Sequence, residues 1–401
     1  MIEASTSSNI IATLPNRGTV LPNTERLTEG DTVYDWEYCA RKDLPLSVVA
    51  VHWGQIVPTD LRLGEGDGLR IFDRLYWTNP SLTYEQAVRQ EIEVALSLGR
   101  RVLGLLDFDP AEVSHLTFGS GTPINPQIHF ELAKALGLEK VVADPDRNIT
   151  VSFSACNGGC DALVRGYTKT QTKEEPVLSI ALEGLTRIIG PKRLKTDSLS
   201  EVTFSNGAAA FFGIPDTSFT CLTNTFISEV DVKGALKAVD PYVVIMDLNN
   251  PSIVQTVMHY GEVTSVRMPE PSAGFGIEMN GPDVAKFFLR FLNKVLLKAM
   301  EDYAKLRAEH PEFGLPAQPK FIVPHHASPA VVGGIERVSN RLGLEGEMPW
   351  LVTEGNSSAA TTMIAFGRLI PRLEQGDVVM LISFGAGATA TVSYIKIGPL
   401  Q

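Results

Sequence analysis

The sequence predicts an α/β protein whose sheets are largely parallel and covered by helices on both faces. Three observations predict it. Short apolar runs of strand length alternate with amphipathic runs of helix length along most of the chain. The second half repeats the order of the first. With 401 residues, 44% hydrophobic and 20% charged, there is ample apolar material for one large unit or two closely packed ones.

Residues 1–42 are polar and then mixed, with Pro15, Gly18, Pro22 and Gly30 and little periodicity. They are expected to form an N-terminal extension laid over the main body. Regular structure begins with the strand L-S-V-V-A-V-H-W at 46–53. The capping pattern S-L-T-Y-E-Q then opens a long amphipathic helix over 81–106. A strand at 116–122, a helix over 126–137, a strand V-S-F-S-A-C at 151–156, a helix over 157–167 and a strand at 176–184 follow. After Pro215 a second pass begins, with strands at 242–247 and 265–268 and a strong helix over 280–307. It continues through the strand K-F-I-V-P, a helix over 329–342, a loop to Glu354-Gly355-Asn356, a helix over 357–369 and the strand V-V-M-L-I-S-F. Cys156 and Asn356 each precede a small-residue helix, and F-S-N-G-A-A-A-F-F resembles S-F-G-A-G-A-T-A-T. An internal duplication accounts for both. The expected units are 1–42, 43–215 and 216–401.

A formal net charge of −11 and an isoelectric point near 5.2 exclude a nucleic-acid partner by charge. No uncharged apolar run reaches membrane-spanning length, so no membrane insertion is expected. The first fifteen residues lack the basic start and apolar middle of a signal peptide, so a cytoplasmic protein is expected. The four cysteines, Cys39, Cys156, Cys160 and Cys221, form no C-x-x-C, which points to reduced thiols and to no metal site.

Cys156 stands where a buried-type strand turns through Gly158-Gly159 into a helix. Free N–H groups at a helix start favour thiolate over thiol, which makes it a candidate nucleophile. Pro324 ends a strand and delivers His325 and His326 at its carboxyl end, where parallel sheets bind ligands. In E-G-N-S-S-A-A, Gly355 permits an unusual backbone angle and Asn356 offers an amide with both donor and acceptor. His52, His115, His129, His259 and His310 carry no motif and read as surface or packing residues.

In the order Cys, His, Asn these motifs resemble the thiolase superfamily, and within it the ketoacyl synthase III condensing enzymes. S-A-C-N-G-G is similar to the nucleophile elbow, V-P-H-H-A-S to the histidine motif V-P-H-Q-A-N, and E-G-N-S-S-A-A to the asparagine motif. S-N-G-A-A-A fits the G-D-G-A-G-A segment and S-F-G-A-G the C-terminal glycine turn. The resemblance spans about Val48 to Ile397. It implies two duplicated α/β halves stacked as five layers, α-β-α-β-α, with catalytic Cys156, His325 and Asn356 meeting at the bottom of a tunnel. It further implies an acyl-cysteine intermediate and a new C–C bond formed by decarboxylative or direct Claisen condensation. Neutral His325 Nε2–H and the Asn356 amide would hold the enolate. The backbone N–H groups of Cys156 and of the turn at Gly385-Ala386 would hold the second oxyanion. No cofactor is implied beyond coenzyme A or acyl-carrier-protein thioesters as substrates, and a homodimer is implied.

The departures bear on substrate. Asn125, in the loop G-T-P-I-N-P, stands where the family has a phenylalanine gate to the acyl pocket, and Ala330 stands where it has a basic carrier-docking residue. Arg187 matches an arginine that helps hold coenzyme A, with the basic run at 191–195 nearby. His326 replaces the usual glutamine and reads as a supporting hydrogen-bond donor at the substrate. Asn206 replaces an acidic residue as a structural swap. A specialised fatty-acid or polyketide-type role is therefore expected. The alternative is an acyltransferase or thioesterase that passes the acyl group from cysteine to an alcohol, amine or water.

Overall fold

The apolar runs close into two sheets that share a buried helical layer. A computed structural model describes residues 23–58, 74–121, 128–152, 154–173, 175–189, 203–228, 281–385 and 389–400, and short strands between 236 and 279. The first half contains β1 (Asn23–Glu29), β2 (Thr32–Arg41), β3 (Leu46–Pro58), β4 (Arg74–Trp77), α1 (Tyr84–Gly104), β5 (His115–Gly119), α2 (Ile128–Leu136), α3 (Glu139–Ala143), α4 (Pro145–Asn148), β6 (Ile149–Ser152), α5 (Gly158–Thr170), β7 (Val177–Glu183), α6 (Thr186–Ile189) and β8 (Gly207–Gly213). The second contains β9 (Phe219–Ser228), the short strands β10 (Leu236–Val239), β11 (Ile245–Asp247), β12 (Asn250–Val257), β13 (Val263–Ser265) and β14 (Gly276–Met279), then α7 (Gly281–Glu309), β15 (Phe321–Val323), α8 (Pro329–Arg341), α9 (Thr361–Leu369), β16 (Val378–Gly385) and β17 (Thr389–Ile397).

Local chemistry sets the helix starts. The Thr83 hydroxyl accepts from the Gln86 N–H while the Gln86 side chain accepts from the Thr83 N–H, a reciprocal box that opens α1. Ser328 caps α8, with Pro329 at its first position. Among the described residues no helix is long and apolar enough to cross a membrane.

The first sheet runs β1-β2-β3-β8-β7-β5-β6 and the second β9-β17-β16-β15. The inner strands correspond one for one. In each half an antiparallel pair (β3/β8, β9/β17) is followed by a second antiparallel pair (β8/β7, β17/β16) and then a parallel one (β7/β5, β16/β15). The sheets are thus mixed, where strand and helix alternation predicts largely parallel ones. Each half brings its last strand beside the preceding one antiparallel, a neighbour that needs no crossover helix.

The core divides into three main clusters. One, between the sheets, contains Leu163, Val164 and Tyr167 of α5 and Met363, Phe366 and Leu369 of α9. A second packs α1 and α2 on the outer face of the first sheet, and a third packs α7 and α8 on the outer face of the second. The layers are therefore α-β-α-β-α.

Three local expectations differ. Residues 23–41 are a hairpin added to the first sheet, β2 pairing with β3 from Val33 opposite Gly54 to Arg41 opposite Leu46. The alternation in T-V-Y-D-W-E-Y-C is masked because Glu37, polar by composition, is buried against Arg368. Strands β9 and β17 have no counterpart among the predicted elements, since their threonines and serines blur the apolar pattern. The strand before Cys156 stops at Ser152, and Cys156 lies in one 3-10 turn, Ala155–Asn157.

That turn has a twin. Ser154 (φ −94°, ψ 39°) precedes Ala155 in the left-handed region (φ 48°), and Ser357 (φ −88°, ψ 37°) precedes Ser358 (φ 44°). Each leads through one 3-10 turn into a helix, at Gly158 and Thr361. The equivalence sets Ala359, not Asn356, opposite Cys156. The two turns touch: a Cβ on Gly159 would lie 2.2 Å from the Ala359 carbonyl oxygen, so only glycine fits there.

Candidate active site

Two elbows facing each other place the polar groups of both halves around one sulfur. The Ser358 hydroxyl donates to Cys156 Sγ at 3.3 Å. The Ser358 N–H donates to Asn356 Oδ1 at 2.9 Å, and the Thr361 hydroxyl donates to the same oxygen at 3.0 Å. Asn356 is itself fixed by its N–H on the Thr203 carbonyl and by its carbonyl on the Ser205 N–H. With two donors on Oδ1, the amide is turned so that its remaining offer is N–H.

His325 is buried, and its Nδ1 lies 3.4 Å from the Thr362 hydroxyl. Thr362 donates to the Ser383 hydroxyl at 3.3 Å, and Ser383 donates to the Cys156 carbonyl at 3.4 Å. A carbonyl can only accept, so the chain runs one way: each hydroxyl proton is used, and Nδ1 carries the imidazole proton. Burial, with a smaller contribution from His326, pushes the His325 pKa down to about 3, so the ring is neutral at working pH and Nε2 is its acceptor. The sequence-based expectation was an Nε2–H donor.

Burial pushes the Cys156 thiol up to about 11. The Ser358 hydrogen bond pulls it down and the charge of Glu183 pushes it up. Burial thus opposes the thiolate that a helix start favours. Glu183 is fully buried at the end of β7 and accepts the Gly121 N–H at 2.7 Å.

Gly385 belongs to the same surround. A Cβ there would lie 2.0 Å from the Ser154 carbonyl oxygen, so the end of β16 lies against the elbow backbone only because it lacks one. Ala386, the loop 122–126 with Asn125, and the basic run 191–195 lie outside the described residues.

Two expected substrate contacts are internal instead. Arg187 is 1% exposed and gives Nη1 to both oxygens of Glu91, at 2.8 and 3.0 Å, and to the Gly184 carbonyl. A guanidinium so held braces α6 against α1 rather than reaching for a phosphate. His326 is fully buried, its Nε2 accepting the Leu351 N–H at 3.1 Å and its ring edge-on to Trp350. It anchors the loop before Glu354 as an acceptor, not a substrate donor. Asn206 is also buried, accepting from Thr186 and donating to Trp53 and Thr78. Of the remaining histidines, His52, His115 and His129 are buried, His310 is half-buried and His259 lies outside the described residues.

Sequence reasoning missed Ser358, Thr362, Ser383 and Glu183. Ser358 lies within the quoted motif E-G-N-S-S-A-A, but its contact with a sulfur 202 positions away appears only when the halves meet.

Residues 315–397 match the family model "3-Oxoacyl-[acyl-carrier-protein (ACP)] synthase III C terminal". The chain is 26% identical over 249 residues to a beta-ketoacyl-[acyl-carrier-protein] synthase III of Desulfotalea psychrophila, covering 61% of this chain and 66% of the relative. It is 32% identical over 124 residues to that of Clostridium tetani, covering 30% and 34%. The matches thus span a third to just under two thirds of these relatives' lengths. Among solved structures, 3-oxoacyl-[acyl-carrier-protein] synthase III from Aquifex aeolicus superimposes with TM-score 0.55 at 17% identity, over 81% of this chain and 88% of that one. A bacterial type III polyketide synthase from Streptomyces coelicolor, 1,3,6,8-tetrahydroxynaphthalene synthase, does so with TM-score 0.57 at 16% identity, over 82% and 86%. Identities this low speak for the fold alone.

Proposed function

We propose that this thiolase-like, ketoacyl synthase III-like chain is an acyl-thioester condensing enzyme that forms a C–C bond through an acyl-Cys156 intermediate. In the first step Cys156 Sγ bonds to the acyl carbon, the donor's C–S bond breaks, and the thiol proton ends on the departing thiol. In the second, a malonyl-type thioester loses carbon dioxide. The resulting enolate carbon attacks the acyl carbon, the C–S bond to Cys156 breaks, and the thiolate takes up from solvent the one proton that the decarboxylation consumes.

The observation that carries this reading is the Asn356 amide, locked by Ser358 and Thr361 so that it faces a partner as a donor. An enolate oxygen requires such a donor, whereas transfer to water or an alcohol does not. His325, neutral, is assigned a positioning role through the Thr362 and Ser383 hydroxyls that end on the Cys156 carbonyl. The second oxyanion falls to the N–H of Cys156.

The acyl donor is assigned as a carrier-protein thioester. Position 330 lacks the family's basic residue, but Arg290 and Lys294 of α7 and Arg337 and Arg341 of α8 line one groove of about 700 Å³. Four cations in a chain of net charge −11 suit an acidic carrier. A homodimer acting in the cytoplasm completes the proposal.

The test is intact-protein mass after mixing with acyl thioesters, followed by malonyl thioester and measurement of carbon dioxide. Acylation absent from Cys156→Ala, with carbon dioxide released by the wild type, supports the proposal. Asn356→Ala is expected to acylate normally but to release carbon dioxide about 10²–10³-fold more slowly. Acylation followed only by hydrolysis or transfer would replace condensation with the acyltransferase reading.

A further inference from the structure

The second elbow has kept the backbone of the first and carries no thiol. What it holds at the strained position is Ser358, at φ 44°. A left-handed non-glycine residue is strained and persists only where the surroundings over-determine it. The surroundings here are two functional groups. The hydroxyl touches Cys156 Sγ and the N–H holds Asn356 Oδ1.

Resting on the reading of Cys156 as nucleophile, we propose that Ser358 is a catalytic residue of the acylation step: its hydroxyl stabilises the Cys156 thiolate, and its backbone N–H holds the Asn356 amide as a donor. One residue thereby sets both nucleophile and enolate site. A hydrogen bond to the charged form is the local means of drawing the thiol toward ionisation. No covalent change occurs at Ser358.

The groups facing the sulfur make that bond consequential. Glu183, from β7, opposes ionisation by its charge. The neutral His325, from the loop after β15, joins the site through the hydroxyl chain that ends on the Cys156 carbonyl. A Cβ on Gly121 would lie 2.6 Å from both Glu183 Oε2 and Ser358 Oγ, so hydroxyl and carboxylate share the space over Gly121. The hydroxyl has one proton, and directing it to sulfur rather than to Glu183 is the substance of the proposal.

The test is the pH profile of Cys156 alkylation by iodoacetamide, read by intact mass, for wild type, Ser358→Ala and Ser358→Gly, with Cys156→Ala as the background control. Both variants keep the N–H, and glycine also relieves the left-handed strain. The expected result is an alkylation midpoint about one unit higher in both variants, and alkylation about tenfold slower below the midpoint. Midpoints that coincide with wild type in both would overturn the proposal and assign the hydroxyl to Glu183. Because alkylation needs no second substrate, a shifted midpoint without carbon dioxide release sinks the condensation reading alone.

Discussion

Replacing Arg368 by methionine removes a guanidinium that is 1% exposed at the end of α9. Its Nε donates to Glu37 Oε2 at 2.9 Å, and its Nη1 donates to Glu354 Oε2 and to the Leu351 carbonyl, both at 2.8 Å. The group ties the N-terminal hairpin to the loop that presents Asn356. The variant removes the guanidinium between two buried carboxylates and leaves only the longer Arg74 contact, 3.7 Å from Glu354, a change that costs about 3–5 kcal/mol. At roughly 2.1 cal/mol/K per residue the unfolding entropy of a chain this long is about 0.8 kcal/mol/K, so the melting midpoint should fall by about 4–6 °C. The pH dependence has a definite sign. Burial opposes ionisation of Glu354, but Arg368 and His52 outweigh it and hold the carboxyl well below its usual range. Its stabilising contribution is therefore complete above the unfolded carboxylate pKa of about 4.3 and lost as pH falls toward the low folded value. In the variant burial of Glu354 is opposed only by His52 and the Thr353 N–H, so its carboxyl rises relative to wild type and its protonation offsets part of the loss as pH falls. The gap between wild type and Arg368→Met should be widest at pH 7.5 and narrower at pH 5.5, read by circular dichroism melting. A variant melting within a degree of wild type at pH 7.5, or an equal gap at both pH values, would refute the reasoning.

Gly385→Ala should push the Ser154 carbonyl and tilt the elbow, since the added methyl has backbone rather than a flexible side chain in its way. A stability loss of about 1–3 kcal/mol and an acylation rate at least tenfold lower are expected, by melting and by mass; an unchanged rate would separate Gly385 from the site. Charge reversal in the groove, Arg290→Glu with Arg337→Glu, should raise KM for a carrier-borne thioester while leaving the coenzyme A thioester unaffected. The wild-type preference for carrier should also weaken with added salt. Equal effects on both donors would dissociate the groove from carrier docking.

The alternation of the central strands and helices was legible because strand-length apolar runs and capped amphipathic helices are local signals. The N-terminal hairpin was not, because burying Glu37 is sensible only once Arg368, 331 positions later, lies beside it. The motifs around Cys156, His325 and Asn356 were readable as residue types, yet their protonation was not. A helix start argues for thiolate, whereas the surroundings the fold assembles push the thiol up. Arg187 and His326 illustrate the same limit. Both matched or neighboured substrate positions in the sequence, and both are internal because Glu91 and the Leu351 N–H arrive from elsewhere in the chain.

The two elbows also explain why duplication did not produce two equivalent sites. Ala155 and Ser358 share a left-handed backbone, and the helices behind them begin with the same geometry. If the second turn served geometry alone, glycine at 358 would satisfy it without strain. If it served as a second nucleophile, position 359 would carry the thiol, whereas alanine stands there with its carbonyl packed against Gly159. The strain is kept at the residue whose hydroxyl reaches the other half's sulfur and whose N–H turns the asparagine amide. On the proposed reading the first elbow presents a nucleophile and the second presents donors, and the division follows from two copies of one turn meeting face to face around a single sulfur.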